Sequence, residues 1–89
     1  MSDSITKKST KKLFLHDKPF MILQTINNND GRIYSAMISK KIDCSYAYIV
    51  KLIKIMNALG ITTSEGTNHK KLIKLTVKGK RTFKHLSEL

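Results

Sequence analysis

Residues 45–60 read SYAYIVKLIKIMNALG. At helical spacing Ile49, Leu52, Ile53, Met56 and Leu59 fall on one side, with Tyr48 at its edge. Ala47, Lys51, Lys54 and Ala58 fall on the other, flanked by Tyr46 and Val50. The pattern predicts an amphipathic helix over 45–59. Gly60 is expected to close it, because glycine enters the left-handed region without a Cβ penalty. No Asp or Glu occurs between Ser45 and Ser64, so the polar side of this helix is cationic without counter-charge.

Working outward, Asp43-Cys44-Ser45 interrupts the pattern on the N-terminal side, and either Asp43 or Ser45 can start the long helix. Before the break, Ile38 and Ile42 lie one turn apart in a short helix over 36–42, with Ser35 as the expected N-cap. Two helices joined by a tight turn result. On the C-terminal side the period shortens. Ile61-Thr62-Thr63-Ser64 is rich in β-branched residues, 65–69 reads as a hairpin loop, and 70–76 returns with Ile73 and Leu75 two apart. Thr76 is the expected N-cap of a closing helix over 77–89 that carries Phe83 and Leu86. Gly79 within that helix reads as a weak point, costing about 1 kcal/mol relative to alanine.

Nearer the N-terminus, Pro19 suits a first helical turn, and Phe20, Leu23 and Ile26 recur at threes, giving a helix over 18–27 that Asp17 can cap. Asn27-Asn28-Asn29-Asp30-Gly31 is a stop and turn signal, and Arg32-Ile33-Tyr34 is long enough only for a short strand. Residues 1–12 hold Lys7, Lys8, Lys11 and Lys12 with almost no apolar content, and read as a flexible basic arm ahead of one folded domain over 13–89.

Composition narrows the functional classes. The chain has 89 residues, with 17 Lys+Arg against 6 Asp+Glu and a net charge of +11. Such an excess points to a polyanionic partner, above all nucleic acid. No apolar run approaches a membrane span, and the basic N-terminus lacks the apolar core of a secretory signal. The single cysteine, Cys44, cannot form an internal disulfide. A cytoplasmic, nucleoid-associated location is expected. An enzyme is not. No paired carboxylates, glycine-rich phosphate loop or H-E-x-x-H motif occurs, and Cys44, His16, His69 and His85 come from separate elements without ligand spacing. No metal or other cofactor is therefore expected.

The order helix, short strand, helix, helix, hairpin, helix is that of a winged helix-turn-helix: α+β, mainly α, with a three-helix core, a two-stranded β-hairpin wing and a C-terminal helix. The chain resembles the small archaeal and bacterial MarR-like regulators over residues 17–86. The resemblance is carried by Ile38-Ser39-Lys40-Lys41-Ile42, Ser45-Tyr46-Ala47-Tyr48-Ile49-Val50-Lys51-Leu52-Ile53, Met56 through Gly60-Ile61, and Leu75-Thr76-Val77-Lys78-Gly79. It implies double-stranded DNA as partner and a transcriptional regulator as function. The family's long flanking helices, which build its dimer and ligand crevice, are reduced here to Leu13–Leu15 and the last helix. No small-molecule ligand is therefore carried over, while a homodimer on a two-fold operator remains the expected assembly.

In a helix-turn-helix the second helix enters the major groove and its N-terminal half meets base edges. The expected base contacts are Ser45, Tyr46, Ala47, Val50 and Lys51, with Lys51 suited to guanine O6/N7 and Ala47 and Val50 to a thymine methyl. The expected phosphate contacts are Lys40 and Lys41 at the end of the preceding helix, Lys54 one turn further on, and Asn68, His69, Lys70 and Lys71 at the wing. Tyr34 and Tyr48 read as core-edge residues. Two rival readings use the same fold: a non-specific architectural DNA-binding protein, and a protein–protein adaptor whose signature would be exposed apolar residues such as Leu13-Phe14-Leu15 and Ile55.

Overall fold

In the computed structural model, which describes residues 17–29, 31–66 and 70–88, helix α1 (Asp17–Asn28) is the first described element, with Pro19 buried in its first turn. Ile22, Leu23 and Ile26 form its buried stripe. The asparagine-rich stop acts as expected. The Asn29 side-chain amide donates to the Thr25 carbonyl at 2.6 Å, and Gly31 takes φ +73°. The basic arm and Leu13–Leu15 lie outside the described residues.

The expected strand at Arg32–Tyr34 shrinks to one bridge, Ile33 against Ile73, closed by the Ile73 N–H donating to the Ile33 carbonyl at 2.8 Å. Its consequence reaches the next helix. Tyr34 stays extended (φ −129°, ψ 167°) and occupies the N-cap of α2 (Ser35–Lys41) without a side-chain cap bond. Ser35, expected as that cap, is the first helical residue instead.

Helix α3 (Tyr46–Ala58) follows the turn, with Ser45 as N-cap. The Ser45 hydroxyl accepts from the Tyr48 N–H at 3.2 Å, so of the two candidates for that start the serine fills the role. Ile49, Leu52, Ile53 and Met56 are buried, as the periodicity predicts, and Leu59 is half-buried. Each fully buried aliphatic side chain contributes about 1.5–3 kcal/mol over its exposed state. Tyr48 departs from expectation: at 39% exposure it stands on the surface rather than at the core edge.

The wing pairs β1 (Thr62–Glu65) with β2 (Leu72–Leu75) in antiparallel register, Thr62 opposite Leu75 and Glu65 opposite Leu72. Thr62 and Ile73 face inward. Helix α4 (Val77–Ser87) starts at Thr76, whose hydroxyl accepts from the Gly79 N–H at 2.9 Å. It lies against α1, where Phe20 and Phe83 stack with ring centroids 5.6 Å apart. One core unites Ile22, Leu23 and Ile26 of α1 with Ile38, the buried stripe of α3, Ile61 and Ile73. The architecture is the winged helix-turn-helix, mainly helical, with four helices and a two-stranded hairpin among the described residues. No helix among the described residues is long and apolar enough to cross a membrane.

Candidate nucleic-acid interface

The turn between α2 and α3 fixes how α3 projects. Ile42 caps α2, Asp43 follows at φ +53°, and the Cys44 N–H returns to the Ser39 carbonyl at 3.0 Å. This closure satisfies orphan carbonyls at the helix end. Asp43 therefore ends α2 rather than starting α3. Lys18 supports the same end from α1, donating to the Ile42 carbonyl at 3.2 Å. Cys44 is a free thiol, half-buried beside the core.

With the inner stripe of α3 buried, its outer arc is open. Tyr46, Ala47, Lys51 and Lys54 are exposed and Val50 is half-buried. Tyr46, Val50 and Lys54 succeed one another at i, i+4 and i+8, so they form a single row. That row lines one side of a cleft of about 270 Å³, and Ser64 and Lys71 of the wing line the other. Tyr34 and Ser35, at the start of α2, close one end. The cleft thus gathers four of the sequence-expected residues: Tyr46, Val50, Lys54 and Lys71. Ala47 and Lys51 stand outside it, as do Lys40, Lys41 and Lys70, all exposed. Ser45 is exposed too, and its hydroxyl already accepts a helix-capping bond. Asn68 and His69 lie outside the described residues.

Asn57 is the residue that reading the sequence missed. Its carbonyl accepts from the Thr62 hydroxyl at 2.5 Å, and its amide donates to the Ser64 hydroxyl at 3.1 Å. These two bonds fix the last turns of α3 to the first wing strand and so set the separation of the cleft's walls. The signal lay in composition: Asn57 is the one amide on a helix otherwise apolar, aromatic or cationic.

A second set of bonds anchors the far end of α3. Gly60 takes φ +75° beyond the Leu59 cap, and the Ile61 N–H returns to the Met56 carbonyl at 3.0 Å. The Lys78 ammonium donates to the Leu59 carbonyl at 2.9 Å. The Thr76 hydroxyl shares its proton between the carbonyls of Gly60, at 2.5 Å, and Ile61, at 3.1 Å. A Cβ on Gly79 would collide with the Ile61 carbonyl oxygen. The sequence Thr76-Val77-Lys78-Gly79 is therefore a joint holding α3, the wing and α4 together. Gly79, read from sequence as a weak point, is required by that close approach.

Electrostatically the outer arc of α3 is one-signed, with no carboxylate between Ser45 and Ser64. Among the described residues the one ion pair joins Lys74 to Glu65 at 3.8 Å, between exposed side chains on the wing. Lys51, Lys54, Lys70 and Lys71 enter no such pair, and no described group of three His, Cys, Asp or Glu side chains is placed to hold a metal ion.

The fold recurs in solved structures. A crystal structure of the Archaeoglobus fulgidus protein AF1382 is similar at a TM-score of 0.76 and 25% identity, over 86% of this chain and 88% of that one. A MarR-family transcriptional regulator from Rhodococcus sp. RHA1 is similar at TM-score 0.75 and 13% identity, over 98% of this chain and 67% of that one. A MarR-family protein from Bacillus stearothermophilus gives TM-score 0.72 and 19% identity, over 97% of this chain and 64% of that one. The chain thus spans about two thirds of the length of these two MarR-family structures. No sequence-family model and no curated protein sequence matches the chain.

Proposed function

From a MarR-like winged-helix fold with an acid-free recognition helix, we propose that this protein binds double-stranded DNA sequence-specifically as a transcriptional regulator. The observation that carries the reading is the row Tyr46, Val50, Lys54 facing Lys71 and Ser64 across one cleft, beside an outer arc with no carboxylate. A duplex would set α3 in its major groove, with the base edges against Tyr46, Ala47, Val50 and Lys51 and the Ser45 end of the helix. One phosphate strand would pass between α3 and the wing, met by Lys54 and Lys71. Lys40, Lys41 and Lys70 would engage flanking phosphates, as would Asn68 and His69. The working form is a homodimer, because two copies double the short base-reading surface and match a two-fold operator.

Selection of bound fragments from a randomised duplex pool at about 150 mM salt tests the reading. The expected result is enrichment of a defined, two-fold motif. Lys51→Ala should then reduce preference for that motif by about 1–3 kcal/mol, whereas Lys70→Ala or Lys71→Ala should weaken all sequences together.

An architectural role without sequence preference is the second reading. It is favoured by the short side chains Ala47 and Ala58 on the outer arc, which leave Lys51 as the single long cation of its N-terminal half. Binding without enrichment would select it. Absence of duplex binding would remove both readings and favour an adaptor using Tyr48 and Ile55, which are 39% and 37% exposed on one edge of α3.

A further inference from the structure

The recognition face accounts for only part of the charge. Helix α4 carries Lys78, Lys80, Arg81, Lys84 and His85, and its first acid is Glu88 at the C-cap. Its core-facing side is Gly79, which is buried, with Phe83 and Leu86, which pack on the core. Lys80, Arg81, Lys84 and His85 are all exposed, and the ion pair found among the described residues involves none of them. Lys80 and Lys84 stand four apart, and Arg81 and Lys84 three apart. Like charges at these spacings repel and weaken a helix. The arrangement disfavours the free helix and is relieved when a dense line of negative charge lies along it.

This surface is separate from the recognition face. The Lys78 bond to Leu59 and the approach of Gly79 to Ile61 set the start of α4 at the C-terminal end of α3. That is about 20 Å along the α3 axis from Tyr46. Lys80 shares a shallow cleft of about 300 Å³ with Asn27 and Lys74. Arg81, Lys84 and His85 line another with Glu88, and neither cleft includes a residue of α3. A membrane-surface helix needs large apolar side chains beside its cations. Here Phe83 and Leu86 turn to the core, and Val77 is the one exposed apolar residue of α4. A plain cationic row suits phosphate backbone instead.

We propose that the outer face of α4 binds the phosphate backbone of a second duplex DNA segment, so that one chain bridges two duplexes. The proposal rests on the reading of α3 as the first duplex site. The test is a capture assay: one duplex immobilised on beads, a second fluorescent duplex in solution, and the full chain added. The variant carries Lys80→Gln, Arg81→Gln and Lys84→Gln together. Its affinity for a single duplex should stay within about threefold of wild type, while capture of the second duplex falls at least about tenfold. If its melting temperature drops, Lys84→Gln alone is read in the same assay and should reduce capture several-fold.

Capture equal to wild type would overturn the proposal, because bridging would then run through two α3 faces of a dimer. Equal loss of affinity and capture would overturn it too, since α4 would then touch the first duplex. So would wild-type binding to the first duplex without capture, including the case where phosphatidylserine vesicles bind wild type and not the variant. If wild type binds no duplex in solution, the reading of α3 fails as well, and the single-duplex measurement separates that outcome from the others.

Discussion

At the end of α2 the Cys44 N–H returns to the Ser39 carbonyl, and at the end of α3 the Ile61 N–H returns to the Met56 carbonyl, each at 3.0 Å. The two closures share this bond across five residues; at α3 the Gly60 N–H adds a second to the Asn57 carbonyl at 3.0 Å, and the surroundings differ further. At α2 the left-handed residue is Asp43, exposed, and among the described residues one side chain, Lys18, bonds to the end. At α3 it is Gly60, followed by Thr76, Lys78 and Gly79, which bind or crowd the last carbonyls. Polar residues at the α3 end are used up inside the molecule. Those on the outer arc of α3 are not. A lysine in this protein is therefore read by its partner: Lys78 has a carbonyl, whereas Lys51 and Lys54 face outward without an ion-pair partner among the described residues.

The sharpest way to break this contrast is Gly79→Ala. The new methyl must displace the Ile61 carbonyl or the helix itself, and the cost should be about 3 kcal/mol or more. For a domain this small that lowers the melting temperature on the order of 15 °C. A change under about 0.5 kcal/mol would mean that the joint is loose. Thr76→Val comes next. It removes the α4 cap and the hydroxyl bond to Gly60 and Ile61 together, and denaturant titration should show a loss of about 2 kcal/mol.

Exchanging the two left-handed residues probes the closures themselves. Gly60→Asp has open space around it, with the nearest contact, Lys78, at 3.9 Å, so its cost of about 1 kcal/mol should be purely conformational. Asp43→Gly should stabilise by about 0.5 kcal/mol, since relief of the left-handed strain outweighs the added freedom of the unfolded chain. Equal and opposite signs from those expected would show that Asp43 makes a compensating interaction. The smallest effect belongs to Lys51→Ala, which should leave stability within about 0.5 kcal/mol of wild type because its side chain is exposed and forms no ion pair.

What could be read from the sequence follows the same division. The periodicity of Ile49, Leu52, Ile53 and Met56, the serine and threonine caps at Ser45 and Thr76, and Gly60 are local signals, and local chemistry decides them. The errors arose where a distant contact prevails. Gly79 looked costly because helix propensity registers only its own helix, while the Ile61 carbonyl that requires it is far along the chain. Ser35 lost its cap to Tyr34 because the Ile33–Ile73 bridge keeps Tyr34 extended. Asn57 drew no reading because its partners, Thr62 and Ser64, belong to the wing. Of the expected interface, the row Tyr46, Val50, Lys54 was visible in helical spacing, but its pairing with Lys71 across a cleft depends on wing register.

The claim that the outer arc of α3 and the wing form a duplex-binding surface is tested most directly by salt titration of duplex binding, for wild type and for Lys51→Gln/Lys54→Gln/Lys71→Gln. With Lys40, Lys41, Lys51, Lys54, Lys70 and Lys71 on phosphates or bases, the logarithm of affinity should fall with the logarithm of salt at a slope of about −5 or steeper, and the triple variant should be shallower by about 2.5. An unchanged slope in a variant that melts like wild type would contradict the account.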